Sequence, residues 1–246
     1  MAREALVYLP PAARRAGVHL PVLLLLHGEP GGPKDWLDKS TLLPILDGFA
    51  KRHHGAAPVV VMRDINGARH GDTECVSTAK GDVEKYLTTD VPAYVEAHYP
   101  VTRSRTEWAV GGASEGGMCS LMLALRHGSR FTTFVDLSGL TRPTVGRTDN
   151  RSATLNQLFG GSMSAYDQHD PLWLLARHRY PDLAGWFATG ADDTHARAAQ
   201  NRVVVAAGRA GISTVARLEP GGHAWGVWDR ALAACLPWLW ARLTRR

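Results

Sequence analysis

Seven short apolar segments, separated by stretches of helical pattern, constrain the fold of this chain more than any other sequence feature. The segments are residues 5–9, 22–26, 59–62, 107–111, 133–137, 185–189 and 214–218. Most are apolar throughout, which is typical of parallel strands buried on both faces. Helical patterns cover 82–98, 115–127, 194–210 and 229–243. The alternation predicts an α/β fold with a mostly parallel central sheet and helices on both faces.

The composition favours a single domain over residues 1–246. The chain is 45% hydrophobic and 21% charged, close to the average of globular proteins. Residues 139–180 are rich in glycine, proline, serine and asparagine, and they break the alternation. Because this segment is too short for a core of its own, it predicts a lid-like insertion over the sheet. Every apolar run is far shorter than the ~20 residues that a membrane-spanning helix requires.

The charge pattern argues against a nucleic-acid partner. The formal net charge is +5, but the basic residues are scattered and form no long run. A solvated surface is the simplest interpretation, and weak association with an anionic membrane surface is compatible with the same charge.

The segment Gly112-Ala-Ser114-Glu-Gly116 carries the strongest chemical signal. It has the form G-x-S-x-G, follows an apolar strand pattern and precedes a helical pattern. That context predicts a nucleophile elbow, in which a sharp turn exposes the serine at a helix N-terminus. The alternative is a simple Gly/Ser turn that joins a strand to a helix. The elbow interpretation makes Ser114 the candidate nucleophile.

A second glycine-rich loop follows the strand pattern at 22–26, with the sequence His27-Gly-Glu29-Pro-Gly-Gly. In an elbow fold such a loop supplies one N–H group of the oxyanion hole, and the residue after the nucleophile supplies the other. Pro30 has no N–H to donate. The backbone N–H groups of Glu29 and Glu115 are therefore the predicted donors. A phosphate-binding loop is not favoured, because neither GxGxxG nor a Walker lysine is present.

The candidate base and acid lie later in the chain. His223 follows two glycines, comes after the strand pattern at 214–218 and precedes the last helix. The order serine, acid, histidine is that of α/β-hydrolases. The acid is expected after the strand at 185–189, where Asp192 and Asp193 stand together. One would orient the histidine, and the other could cap the following helix.

These segments together resemble the putative-esterase branch of the α/β-hydrolases, which includes esterase D, feruloyl-esterase domains and mycolyltransferases. The resemblance covers residues 6–243, and its marks are the segments 26–28, 112–116, 190–193 and 221–223 with Trp36 and Trp228. The branch carries G-x-x-D at the acid, which implies Asp193, and its oxyanion donor again falls on Glu29. Glu115 departs from many relatives, which have Met or Gln there.

The stretches 64–67 and 72–75 resemble a subgroup whose esterase domain follows N-terminal membrane helices. This implies an extracytoplasmic or membrane-tethered location; a cytoplasmic enzyme is the alternative. An exported chain could join Cys75 to Cys119, and two buried free thiols are the alternative.

Aromatic side chains beside the loops suggest a substrate groove. Trp36 and Trp225, with Asn66 from the subgroup stretch, are the predicted substrate contacts, and Trp228 is equally compatible with the core.

The expected activity is that of a serine esterase or acyltransferase that uses no cofactor and no metal. Its substrate would be a lipid or cell-envelope ester. The alternatives are an intracellular small-ester or S-formylglutathione hydrolase, and a non-catalytic binding protein on the same scaffold.

Overall fold

A computed structural model describes residues 3–79, 81–146 and 150–245. Within these residues a seven-stranded sheet has the order β1-β3-β2-β4-β5-β6-β7. Its strands are β1 (Ala5–Tyr8), β2 (Val22–Leu26), β3 (Val59–Arg63), β4 (Trp108–Ala113), β5 (Thr133–Leu137), β6 (Ala184–Gly190) and β7 (Ser213–Glu219). Only β1 pairs antiparallel, and β2 to β7 are parallel. The predicted α/β architecture is confirmed.

Helices cover both faces of this sheet. They are α1 (Asp35–Asp38), α2 (Leu42–Arg52), α3 (Val83–Lys85), α4 (Val91–His98), α5 (Glu115–Arg126), α6 (Arg151–Phe159), α7 (Met163–Asp167), α8 (Pro171–Arg177), α9 (Thr194–Arg209) and α10 (Trp225–Leu243). One apolar layer includes residues of α4, α5 and α9, and the other includes residues of α2 and α10. β2, β4, β5 and β6 are buried along their whole length, and accordingly their residues are apolar or glycine except for Thr133, Asp136 and Thr189.

The helix predicted over 82–98 is interrupted. A π-helical turn, Tyr86–Asp90, separates α3 from α4, and Pro92 lies in the first turn of α4. A proline has no backbone N–H for the bond to the preceding turn, so the regular helix cannot run through this position.

The predicted insertion contains α6, α7 and α8. Asn150, Ser162 and Asp170 cap the N-termini of these helices with their side chains. His169 Nε2 lies 3.2 Å from a carboxylate oxygen of Glu84, which also binds Arg126 and His127. This ion cluster joins the insertion to the helices beside the sheet.

No helix of the described chain is both long and apolar enough to cross a membrane.

Candidate active site

Ser114 occupies a tight turn between β4 and α5. Its backbone has φ 56° and ψ −118°, a conformation that non-glycine residues rarely adopt. The two flanking glycines are required sterically. A Cβ on Gly112 would lie 2.6 Å from the backbone of Gly116, and a Cβ on Gly116 would lie 2.6 Å from the carbonyl oxygens of Leu26 and His27. The G-x-S-x-G pattern thus results from close approach of three backbone segments.

His223 and Asp193 complete a hydrogen-bonded chain with this serine. Ser114 Oγ lies 3.0 Å from His223 Nε2, and His223 Nδ1 lies 2.5 Å from Asp193 Oδ2. An ionised carboxylate can only accept, so Nδ1 carries the proton and Nε2 is free to accept from the serine hydroxyl. The Asp193 side chain is 8% exposed, whereas that of His223 is 43% exposed. The structure therefore brings together the three side chains predicted for the triad.

The adjacent aspartates do not divide their roles as expected. Asp193 Oδ1 accepts the backbone N–H of Ala196 and caps α9, while its Oδ2 binds the histidine. Asp192 is exposed and does not cap the helix. One carboxylate performs both functions because its two oxygens point in different directions at the helix start.

The loop after β2 lies against the nucleophile. A Cβ on Gly28 would lie 3.1 Å from Ser114 Cβ, so any larger residue would push the loop and the serine apart by a few tenths of an ångström. Glu29, joined to Pro30 by a cis peptide bond, follows directly, and Glu115 is the first residue of α5. The first N–H groups of a helix have no partner within the helix and favour a negative charge. Both predicted oxyanion donors thus belong to segments beside Ser114.

His27 helps to position the loop after β2, a role that the sequence analysis did not predict. Its side chain is fully buried, and its Nε2 accepts the backbone N–H of Ile65 at 3.1 Å. Nδ1 must then carry the ring proton, and it lies 2.9 Å from the carbonyl oxygen of Gly28. This histidine holds the loop after β2 against the segment after β3. Its place directly before Gly28 was the available signal.

A cluster of buried acids lies on the other side of the nucleophile. Glu115 accepts hydrogen bonds from Asn66 Nδ2 at 2.7 Å and from the backbone N–H of Glu74 at 3.1 Å. Burial raises the pKa of Glu115 to about 8, and the neighbouring Asp72 contributes. Burial and the Glu115 carboxyl likewise raise the pKa of Glu74 well above its ordinary value. Carboxyls in this state share protons near neutral pH.

Oxygens of Asp72, Glu74 and Glu115 lie within 4.8 Å of one another, a spacing at which a cation could be held. The hydrogen bonds to Glu115 and the raised pKa values of Glu74 and Glu115 fit a second interpretation, in which the acids share protons and hold no cation. The absence of a metal therefore stays an expectation.

Two neighbouring cavities share lining residues, and the smaller one contains the serine in its lining. The smaller, of about 80 Å³, is lined by Ser114, Glu29, Asp72, Glu74, Glu115, Met118, Leu140, Thr144 and Gly146. The larger, of about 620 Å³, shares Glu29, Asp72 and Gly146 with it and extends to Arg3, His70 and Gln157. The space beside the nucleophile is thus small and rich in acids, and the outer cleft is lined by both polar and apolar residues.

A family model described as "Putative esterase" matches residues 2–239. The chain belongs to this esterase family. An uncharacterised protein of Corynebacterium glutamicum is 34% identical over 245 residues; the match covers 97% of this chain and 57% of that protein, so the chain spans little more than half of its relative. The family indicates ester hydrolysis or acyl transfer, which confirms the predicted enzyme class.

Solved structures show the same fold as this esterase. A ferulic acid esterase superposes with a TM-score of 0.81 at 20% identity, covering 98% of this chain and 92% of that one. S-formylglutathione hydrolase from Agrobacterium tumefaciens gives 0.80 at 19% identity, covering 98% and 90%. MPT51 of Mycobacterium tuberculosis gives 0.68 at 20% identity, covering 99% of each chain. The α/β-hydrolase fold is therefore confirmed.

Of the predicted substrate contacts of the esterase, Trp36 lies in the core, whereas Trp225 and Asn66 stay predictions. Trp36 is fully buried and packs edge-to-face against Trp225, which is itself half-buried. Large apolar rings next to a glycine-rich loop can equally fill the space beneath it, and here Trp36 does so. Asn66 lines the larger cavity, but it is 7% exposed and its amide binds Glu115 and the backbone N–H of Thr73.

The esterase contains a disulfide between Cys75 and Cys119, and Cys235 is a buried free thiol. The bond joins the segment that carries Glu74 to α5, one helical turn after Ser114. Both Glu74 and Cys75 have positive φ, 49° and 57°. The disulfide thus fixes one wall of the small cavity to the helix that presents the nucleophile.

Proposed function

We propose that this esterase cleaves a carboxylic ester through an acyl-enzyme on Ser114. The serine oxygen attacks the ester carbonyl carbon, and its proton passes to His223 Nε2. Asp193 stabilises the imidazolium that forms, and the N–H groups of Glu29 and Glu115 bind the oxyanion. Collapse of the tetrahedral intermediate breaks the bond to the alcohol, which takes the proton from His223.

The second half of the reaction returns the enzyme to its starting state. His223 accepts a proton from water while the water oxygen attacks the acyl carbon, and the acid is released as Ser114 recovers its proton. A second alcohol in place of water would give acyl transfer. The arrangement serves both acceptors.

The observation that carries this proposal is the hydrogen-bonded chain from Ser114 through His223 to Asp193, joined to a serine with φ 56°. A simple connecting turn does not need a serine with strained backbone angles whose hydroxyl contacts a histidine. A nucleophile elbow at a helix N-terminus has both features.

Labelling with a fluorophosphonate tests the proposal directly. The purified protein should gain the mass of one phosphonyl group, located on Ser114, and should lose hydrolysis of p-nitrophenyl acetate in proportion. Ser114→Ala should abolish both signals. A protein that neither labels nor hydrolyses any ester, although folded, would instead be a binding protein on this scaffold.

The small acidic cavity supports an ester with a short acyl group. A long acyl chain would not fit there, because the cavity measures only about 80 Å³ and four of its described lining residues are acids, Glu29, Asp72, Glu74 and Glu115. In the lipid or cell-envelope ester expected from the sequence, the alcohol group would then be the large part of the molecule, and it would lie in the outer cleft. The same small cavity favours, as second candidate, a small thioester such as S-formylglutathione, the substrate in the name of the Agrobacterium structure.

We further propose that the enzyme acts outside the cytoplasm, at or near an anionic membrane surface. The disulfide supports an oxidising compartment, and the net charge of +5 supports attraction to anionic lipids. Three values of kcat/KM separate the two candidates. They are those for a short-acyl lipid ester in anionic vesicles, for the same ester in neutral vesicles, and for S-formylglutathione in solution. Much faster turnover of the thioester, with equal rates in both vesicles, would contradict the envelope substrate.

A further inference from the structure

We propose that Trp228 is a positioning residue for the catalytic base His223, held from behind by Trp225 and Trp36. This proposal rests on the function proposed for His223 above. The three tryptophans do not form a substrate groove; they form a continuous series of edge-to-face ring contacts that ends at the histidine.

The ring contacts are similar in distance and angle. The centroids of His223 and Trp228 lie 5.1 Å apart with an angle of 90° between the ring planes. Trp228 and Trp225 lie 5.0 Å apart at 81°, and Trp225 and Trp36 lie 5.1 Å apart at 89°. Edge-to-face pairs at such distances are favourable and resist tilting of either ring. Each ring in the series therefore restricts the next.

His223 needs such a restriction. Its side chain is 43% exposed, and it follows Gly221, which has φ 110°, and Gly222. The hydrogen bond to Asp193 fixes Nδ1 but leaves the imidazole free to turn about that bond. A small turn would carry Nε2 away from Ser114 Oγ, which is 3.0 Å away. The ring of Trp228 lies where it opposes this motion.

Trp228 is itself firmly held. It is 6% exposed, and its indole N–H donates to Ser138 Oγ at 3.1 Å. Ser138 follows β5 directly; its hydroxyl donates to Thr189 Oγ1 at 3.2 Å, and its backbone N–H donates to Ala188 at 2.8 Å. Thr189 and Ala188 belong to β6, the strand that leads to Asp193. The strand β6 therefore leads to Asp193 and also holds Ser138, the hydrogen-bond partner of Trp228.

The far end of the series lies near the oxyanion loop. Trp36 is in α1, seven residues after Glu29, and is completely buried. The carboxylate of Asp229, next to Trp228, accepts hydrogen bonds from the Ser40 hydroxyl at 2.5 Å and the Thr41 N–H at 2.8 Å. The first turn of α10 is therefore bound to the segment after α1. The tryptophan series joins the two loops that supply the base and an oxyanion donor.

A comparison of variants in two backgrounds tests the proposal. Trp228→Leu should lower kcat for p-nitrophenyl acetate about 10- to 100-fold with little change in KM, because a displacement of about 1 Å in a catalytic group has effects of that size. Trp228→Phe, which keeps a ring, should recover much of the loss. Trp238→Leu is the matched control, since Trp238 lies on the same helix, packs against Trp186 and does not contact the triad. Its kcat should stay within about twofold of wild type.

The deciding measurement uses His223→Ala, which retains a small residual activity in comparable triads. If Trp228 acts through the histidine, adding Trp228→Leu should leave that residual activity unchanged. A further 10-fold drop would show that Trp228 acts on the oxyanion hole or the fold and would overturn the proposal. An unchanged kcat in the single variant would also overturn it.

Ser138→Ala provides an independent test should Trp228→Leu fail to fold. It removes the hydrogen bond that orients the indole and should lower kcat about threefold in the wild-type background and not at all in His223→Ala. Equal losses in both backgrounds would overturn the proposal. Full activity of His223→Ala itself would instead reject the proposed function, so the two failures are distinguishable.

Discussion

Asp193 is at once the hydrogen-bond partner of His223 and the N-cap of the helix that begins beside it. Asn can replace Asp as an N-cap, but it cannot stabilise an imidazolium or reliably hold the correct tautomer. Asp193→Asn should therefore lower kcat about 10⁴-fold while the melting temperature changes little. Steady-state rates and thermal unfolding of the same preparations check this.

Asp192→Asn is the control for that variant, because Asp192 is exposed and does not cap α9. It should leave kcat within about twofold of wild type. The reverse order of the two losses would move the catalytic acid to Asp192.

The strained backbone of Ser114 should lower the free energy of unfolding. Glycine adopts positive φ without steric cost, whereas alanine keeps the strain of φ 56°. Both Ser114→Gly and Ser114→Ala should be inactive, but the glycine variant should have the higher free energy of unfolding, by about 1 kcal/mol. Urea unfolding of the two variants measures the difference. An alanine variant as stable as the glycine variant would mean that the elbow is unstrained.

The acid cluster predicts an alkaline limb in the activity profile. Burial raises the pKa of Glu115 to about 8, so its ionisation above neutral pH would place a negative charge beside its own backbone N–H, the proposed oxyanion donor. We expect kcat/KM to fall as the pH rises through about 8, with an apparent pKa that belongs to the coupled pair of Glu115 and Glu74. Glu115→Gln, neutral at every pH, should lose this limb.

The same group affects stability with a definite sign. The pKa of Glu115 in the folded chain lies above its ordinary value of 4.5, so the carboxyl ionises less readily there than in the unfolded chain. The free energy of unfolding should fall as the pH rises from about 4.5 toward 8, and Glu115→Gln should reduce that slope. Glu107→Gln, on the partly exposed turn before β4, is the matched control. If the fall of kcat/KM above pH 8 persists in Glu115→Gln, another group causes it.

Removal of the disulfide should loosen the wall of the small cavity. Cys75 and Cys119 close a loop with a sequence separation of 44, for which the chain-entropy relation gives about 4 kcal/mol. Cys75→Ala should lower the free energy of unfolding by 2–4 kcal/mol, on the order of native disulfides. Cys235→Ala, at a buried free thiol, separates loss of the bond from loss of a buried side chain.

Thiol counting checks the bond itself. The denatured protein should show one free thiol before reduction and three after it. Three thiols before reduction would contradict the bond and remove its support for an oxidising compartment.

Features encoded by local sequence were predictable. The seven strands lie within two residues of their predicted bounds. For the five inner strands, β2 to β6, this is because burial on both faces leaves a mostly apolar sequence pattern. The elbow was predictable because close backbone approach requires Gly112 and Gly116 on either side of Ser114. The order of the triad candidates along the chain follows from the order of the parallel strands.

Features that depend on contacts between distant segments were not predictable. The orientation of Trp36 is decided by packing against Trp225, 189 residues later, and no periodicity encodes it. The hydrogen bond from the backbone N–H of Glu74 to the Glu115 carboxylate depends on a loop held by a disulfide. Asp193 combined two roles because of the direction of its two oxygens, which the sequence does not state.

The loops after β2, β4, β6 and β7 carry the oxyanion, nucleophile, acid and base candidates, whereas α6, α7 and α8 follow β5. The insertion supplies Val145, Gly146, Gln157 and Leu158 to the outer cleft, and it is separate along the chain from the residues proposed for the chemistry. The part of the substrate preference that these four residues set should be transferable by grafting: a homologue's segment between β5 and β6 could be exchanged while the reaction machinery is left in place, provided that the graft retains Ser138 and a partner for Glu84.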